Sequence, residues 1–211
     1  MRKAIRDRLR VPNAEPTPAH CLLAKLPFPC IITTNFDSLM ERALEAERKN
    51  PQVESYVRRA DKKDLRPGTE EEPLVYKLHG SIDQIDTLIA TEDDVIDFAA
   101  CLLQDNPSLP SLIGKLFETN TLLFVGYGLR DWNVRMMLRA LRKRRGPSGT
   151  PDIASYAIQR RPAEPGAGTE WEKTVMYWDR VERLRCFDVD VYEFLEELLR
   201  RDGLRAGRGK Q

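Results

Sequence analysis

The chain has no paired cysteines, no long apolar run and no surplus of either charge, and each absence removes a class of function. Cys21, Cys30, Cys101 and Cys186 are scattered, with no Cys-x-x-Cys pair, so a structural zinc site is not expected. Histidine is scarce, with only His20 and His79. No stretch approaches the roughly 20 apolar residues that span a bilayer. The N-terminal Met1-Arg2-Lys3-Ala4-Ile5-Arg6-Asp7 is followed by no apolar signal region. A cytoplasmic protein with reduced thiols and no membrane contact is the default. Lys plus Arg number 34 and Asp plus Glu 33, for a net charge of +1. That balance argues against direct nucleic-acid binding.

What is present is a chain of 211 residues, 41% hydrophobic and 32% charged. This suits one globular domain of moderate size. Three apolar, β-branched runs stand out, and each ends abruptly in polar or glycine residues. They are Cys30 to Thr34 leading into Asn35-Phe36-Asp37, Leu74 to Leu78 leading into His79-Gly80, and Thr121 to Val125 leading into Gly126-Tyr127-Gly128. Gln52 to Val57, Ala154 to Gln159 and Arg183 to Phe187 make weaker strands.

Helical periodicity marks Asp37 to Glu47, Glu92 to Leu103, Pro107 to Glu118, Asp131 to Arg145, Glu170 to Val181 and Val191 to Arg201. Thr91 and Asp94 form a capping pair for the second of these. Met1 to Arg10 reads as a basic helix and Val11 to Pro18 as a proline-rich loop. Arg58 to Pro73 reads as a charged, exposed flap, and Gly203 to Gln211 as a frayed tail. Alternating strands and helices predict an α/β fold: a Rossmann-like parallel sheet with helices on both faces. The organisation is a lead-in over 1–29, the main domain over 30–201 and a disordered tail over 202–211.

In open α/β sheets, ligands bind beyond the carboxyl ends of the strands, where these polar clusters lie. Asn35 or Asp37 can cap the next helix, but Thr33, Thr34, Asn35 and Asp37 form a denser cluster than one cap requires. His79 sits before Gly80 and Ser81, which let the backbone turn sharply. With an ordinary pKa of about 6.5, such a histidine can accept a proton near neutrality, or simply be a satisfied structural residue. Gly126 and Gly128 form a tight turn or let backbone approach a phosphate or ribose. Asp131 and Asn133 can cap the following helix. The basic cluster Arg139, Arg142, Lys143, Arg144 and Arg145 fits a solvated helix C-terminus. Trp132, Trp171 and Trp178 fit packing roles.

Three segments, in this order, resemble the sirtuin-like family, and most closely its bacterial antiviral-defence branch of NAD hydrolases. They are Ile32-Thr33-Thr34-Asn35-Phe36-Asp37; Lys77-Leu78-His79-Gly80-Ser81 with Leu88-Ile89-Ala90-Thr91-Glu92-Asp93; and Phe124-Val125-Gly126-Tyr127-Gly128-Leu129-Arg130-Asp131. The similarity runs from about Leu22 to Leu199. It implies a domain that binds NAD as substrate, without a metal, and releases nicotinamide and ADP-ribose. By the same resemblance, the catalytic residues are Asn35, Asp37 and His79. Asn35 would position the nicotinamide ribose and the attacking water, Asp37 the carboxamide side, and His79 would act as base. NAD contacts would come from Thr33, Thr34, Asn35, Asp37, His79, Gly126, Gly128 and Asp131.

The chain departs from the family pattern at its start. The family opens with a strand, normally in mid-sheet, and a Gly-Ala-Gly-x-Ser loop that cradles the pyrophosphate. Nothing before Cys30 fits that description, and no glycine precedes Gly68. The chain therefore reads as N-terminally shortened, with exposed strand edges where that strand would pair. Gly128 stands where many relatives carry serine. The zinc cysteines of deacetylating members are absent, which places a protein deacylase last. NAD hydrolysis, weak or lost in the shortened chain, and a non-catalytic nucleotide-binding or scaffold module both remain open. The resemblance also implies a separate sensor protein or a homo-oligomer.

Overall fold

In the computed structural model, which describes residues 6–8, 14–57, 64–103, 109–128, 154–162 and 167–208, every expected strand forms. They are β1 Cys30–Thr33, β2 Gln52–Ser55, β3 Leu74–Lys77, β4 Leu123–Val125, β5 Ser155–Ile158 and β6 Leu184–Phe187. The helices are α1 Pro18–Lys25, α2 Leu39–Ala46, α3 Glu92–Leu103, α4 Ser111–Thr119, α5 Ala167–Glu182 and α6 Val191–Arg208. Among the described residues no helix is long and apolar enough to cross a membrane.

All pairing is parallel, in two three-stranded sheets of order β1-β3-β2 and β4-β5-β6. β3 lies between two neighbours, and all four of its residues are buried. Side chains of a strand alternate between faces, and β3 uses both. Val75 packs with Ala24 of α1 and with Met40, Ala43 and Leu44 of α2. Leu74, Tyr76 and Leu78 join a second core with Phe98 of α3, Ile113 and Phe117 of α4, and Trp178 of α5. That core continues into the other sheet through Phe124, Ala157 and Leu184, so the two sheets share it. Burial of one such large side chain contributes about 1.5–3 kcal/mol. The expected Rossmann-like α/β architecture, with helices on both faces, is the one observed.

The sheet is not continuous. Among the described residues β1 pairs only with β3, and β4 only with β5, so each presents an open edge. Several boundaries also differ from the sequence pattern. α2 starts at Leu39 rather than Asp37, because Asp37 caps it: the Leu39 amide donates to Asp37 Oδ1 at 3.0 Å. α4 starts at Ser111, with Pro110 as its N-cap, since proline suits the entry of a helix and not its interior. α6 runs on to Arg208 rather than fraying at Gly203. Glu197 clamps Arg200 and Arg201 just before that glycine, and the residues after it are mostly good helix formers.

The flap expected over Arg58 to Pro73 is partly tied down. Asn50 and Gln52 donate backbone hydrogen bonds to Glu71 and Pro73, while residues 58–63 lie outside the described set. The capping box at α3 forms in both directions between Thr91 and Asp94. Trp171 and Trp178 are core residues. The expected helix Asp131 to Arg145, with its basic cluster and Trp132, lies outside the described residues. So does most of the expected Met1 to Arg10 helix, of which residues 6–8 are helical.

Candidate active site

Parallel pairing in register brings the ends of β1 and β3 level, with Thr33 opposite Lys77. The chain then leaves both strands at the same height, and Asn35 and His79 each fall two residues beyond that pair. The ladder continues one bond further, from the Leu78 amide to the Thr33 carbonyl at 2.8 Å.

The loop after β1 is pinned at Asn35, Phe36 and Asp37. The Asn35 amide donates to Thr33 Oγ1 at 3.0 Å. The Phe36 carbonyl accepts from the Ile82 amide at 3.0 Å. The Asp37 carbonyl accepts from Lys77 Nζ, and its carboxylate caps α2. The cap thus falls to Asp37. Asn35 is exposed, and among the described residues its amide side chain makes no hydrogen bond, so it remains available to a ligand.

The turn after β3 is equally fixed. Gly80 has φ of +83°, and a Cβ there would lie 2.2 Å from the Thr87 carbonyl oxygen, so only glycine fits. The Ser81 amide donates to Thr87 Oγ1 and the Ile89 amide to the His79 carbonyl, both at 3.0 Å. The His79 ring packs edge-on against Phe98, centroids 5.7 Å apart. Burial there lowers its pKa from 6.5 to about 4, so the imidazole is neutral at physiological pH.

The end of β4 is sparser. Gly126 has φ of +73°, with nothing within 4 Å of a Cβ placed on it. Tyr127 packs edge-on against Phe124 and hydrogen-bonds Thr34 across the gap between the two sheets. Burial pushes the Tyr127 phenol up, and the Thr34 bond opposes that shift.

Between the open edges of β1 and β4 lies a cavity of about 690 Å³. That is within the range of about 300–1,000 Å³ found for small-molecule sites. Its walls are both strands, and Leu78, Leu116, Phe117 and Met40 supply further apolar surface. Thr33, Thr34, Asn35, Asp37, Gly126 and Tyr127 give it a polar end. Cys30 lies on the same wall, and burial pushes its thiol up to about 11, which makes it unreactive. His20 also borders the cavity, but its Nδ1 is engaged by Thr17 at the start of α1.

Of the residues singled out from sequence, Thr33, Thr34, Asn35, Asp37 and Gly126 therefore meet on one cavity wall. His79 stands at the end of the adjacent strand, outside the cavity lining, its ring turned toward Phe98. Gly128 is exposed and off the wall, and Asp131 lies outside the described residues. Sequence reasoning missed Lys77 and Glu41. They form a buried ion pair at 2.7 Å, with side chains 2% and 8% exposed, and Glu41 borders the cavity. Among the described residues Glu41 Oε2 has no hydrogen-bond partner. The available signal was a lone lysine in the otherwise apolar run Leu74–Leu78.

The described lining carries two carboxylates, Asp37 and Glu41, and no lysine or arginine. Such a wall favours positive charge developing in a ligand and offers a pyrophosphate no cation. No cluster of metal-ligating side chains is present among the described residues.

Comparison with known proteins adds an independent line. The SIR2-like domain family matches residues 29–177. The chain is 28% identical over 193 residues to the NAD(+) hydrolase ThsA of Cytobacillus dafuensis, covering 85% of this chain and 37% of that protein. It is 35% identical over 133 residues to the NAD(+) hydrolase ThsA of Acinetobacter baumannii, covering 61% of this chain and 25% of that protein. It is 30% identical over 116 residues to Defense-associated sirtuin 2 of Bacillus subtilis, covering 54% of this chain and 10% of that protein. The chain thus spans at most 37% of the length of each of these three relatives.

Proposed function

The chain belongs to the SIR2-like domain family, and from that premise we propose that it binds NAD and hydrolyses it to nicotinamide and ADP-ribose, in antiviral defence. The observation that carries this reading is Asn35: an amide side chain with no hydrogen-bond partner among the described residues, on a loop held by hydrogen bonds at Asn35, Phe36 and Asp37, at the polar end of a largely apolar cavity. Cleavage of the nicotinamide–ribose bond develops positive charge on the ribose. Asn35 would orient the ribose and the attacking water. Asp37 would favour the developing cation and hold the carboxamide side of the ring. Holding both reactants in place supplies most of what such a reaction needs.

His79 would act as the base, on water or on a ribose hydroxyl. Its neutral ring can accept a proton at pH 7, and its position level with Asn35 puts it on the adjoining strand end. Its low pKa makes it a weak base in the free chain, and its ring must turn from Phe98 to reach substrate. Thr33, Thr34, Gly126, Gly128 and Asp131 complete the proposed NAD contacts. A cytoplasmic location, and a trigger supplied by a sensor protein or by self-association, belong to the same proposal.

A second reading, nucleotide binding without catalysis, is favoured by the open edges of β1 and β4 and by the lack of cations on the described wall. Incubation of the chain with NAD, with and without an acetylated peptide, separates these readings. Hydrolysis gives equimolar nicotinamide and ADP-ribose whether or not peptide is present. Binding without product leaves only the second reading, and product that requires the peptide marks a deacylase.

A further inference from the structure

We propose that Lys77 is a positioning residue for Asn35, acting through the Asp37 carbonyl; the inference rests on the role given to Asn35 above. Lys77 is the last residue of β3 and is paired with Thr33 of β1. Its ammonium group carries three donor hydrogens. One goes to the Asp37 carbonyl and one to Glu41 Oε1, on the first turns of α2. A single buried cation therefore ties a strand end to a helix start across the Asn35–Asp37 loop. The other ties are the Phe36 carbonyl to Ile82, the Asn35 amide to Thr33, and the Asp37 carboxylate to Leu39. Of these, only the Ile82 and Lys77 contacts fix the loop to the segment that also carries His79.

A purely stabilising role is a poor explanation for this arrangement. A buried ion pair is often no better for stability than two apolar side chains of like volume. What apolar residues cannot supply is a donor to the Asp37 carbonyl. Lys77 thus sets the height of the loop, and with it the distance of Asn35 from whatever occupies the cavity. Glu41 holds the ammonium group in place from the other side.

The test uses the full chain as Lys77→Met/Glu41→Leu, in which no buried charge is left alone, and as Lys77→Arg, which keeps a cationic donor. Melting temperature, hydrogen exchange of the Asn35, Leu39 and Ile82 amides, which donate the bonds that hold the loop, and nicotinamide release from NAD are followed in each. The double variant is expected to melt near wild type yet exchange at least about tenfold faster at the Asn35, Leu39 and Ile82 amides, with residues 92–103 unchanged. Its kcat falls by about ten- to a hundredfold while KM moves little, as expected when only orientation is lost. Lys77→Arg retains most of both properties. Wild-type exchange at these three amides in the double variant overturns the proposal, and so does faster exchange with unchanged kcat. Should the wild-type chain release no nicotinamide, NAD hydrolysis falls, and the exchange ratio alone decides for or against Lys77.

Discussion

The two sides of the cavity mouth are built to different standards. On the β1–β3 side, backbone and side-chain hydrogen bonds hold the Asn35–Asp37 loop, the Gly80 turn fits nothing larger than glycine, and a buried ion pair joins strand to helix. On the β4 side, Gly126 stands in open space, and beyond the core that the two sheets share the polar tie across the mouth is the Tyr127–Thr34 hydrogen bond. The side rich in carboxylate and amide groups is thus preorganised, and the glycine side is not. In the proposed reaction, the bond-breaking half of NAD meets the rigid side. The adenosine and pyrophosphate half meets the looser one, where the described wall holds no cation.

The largest effect should come from breaking the rigid side at its ion pair. Lys77→Met alone leaves the Glu41 carboxylate buried without its partner and should cost about 3–5 kcal/mol in urea denaturation. A loss below about 1 kcal/mol would mean that this side is not held by the pair.

The next effect is acid sensitivity. The folded pKa of His79, about 4, lies below its ordinary 6.5, so the unfolded chain takes up the proton first as pH falls. Its contribution is complete above pH 6.5 and is lost progressively toward pH 4, amounting to on the order of 3 kcal/mol. Denaturation midpoints at pH 7.5 and pH 5 should diverge in the wild type and converge in His79→Gln. In kcat/KM, the His79 limb should fall near pH 4 rather than near 6.5.

The two positive-φ glycines sharpen the comparison further. Gly80→Ala must both strain the backbone and displace Thr87, and should cost more than about 2 kcal/mol. Gly126→Ala meets only the backbone penalty, about 1 kcal/mol. Thermal denaturation of the pair checks the order. Smallest is Tyr127→Phe, which removes the tie across the gap at a cost of about 1 kcal/mol. A loss as large as that of Lys77→Met would show both sides to be equally fixed.

How far this contrast could be read from sequence follows from the range of each interaction. The strands were legible because β-branched apolar runs ending in polar residues are local signals. Thr33, Thr34, Asn35 and Asp37 were legible as a cluster for the same reason. Which of Asn35 and Asp37 caps the helix was not, because both side chains suit the position and only the backbone path decides. The Lys77–Glu41 pair joins residues far apart in the chain: a lone lysine in an apolar run is a local signal, but nothing local names Glu41 as its partner. The direction of the His79 ring was hidden as well. β3 sends Val75 and Leu78 to opposite faces, but the turn at Gly80 ends that alternation before it can be extrapolated to His79. The split between β1 and β4 was implied by the family resemblance, not by the strands themselves.

The most direct test of the site is the initial rate of nicotinamide release from saturating NAD by the wild-type chain and by Asn35→Ala, compared at matched melting temperature. Asn35 is exposed and its side chain makes no hydrogen bond among the described residues, so its removal should leave stability within about 0.5 kcal/mol. Release by the wild type, abolished in a variant that melts at the same temperature, is the result expected of an amide that orients substrate. Equal release by both chains would remove Asn35 from the chemistry, and the proposed site with it.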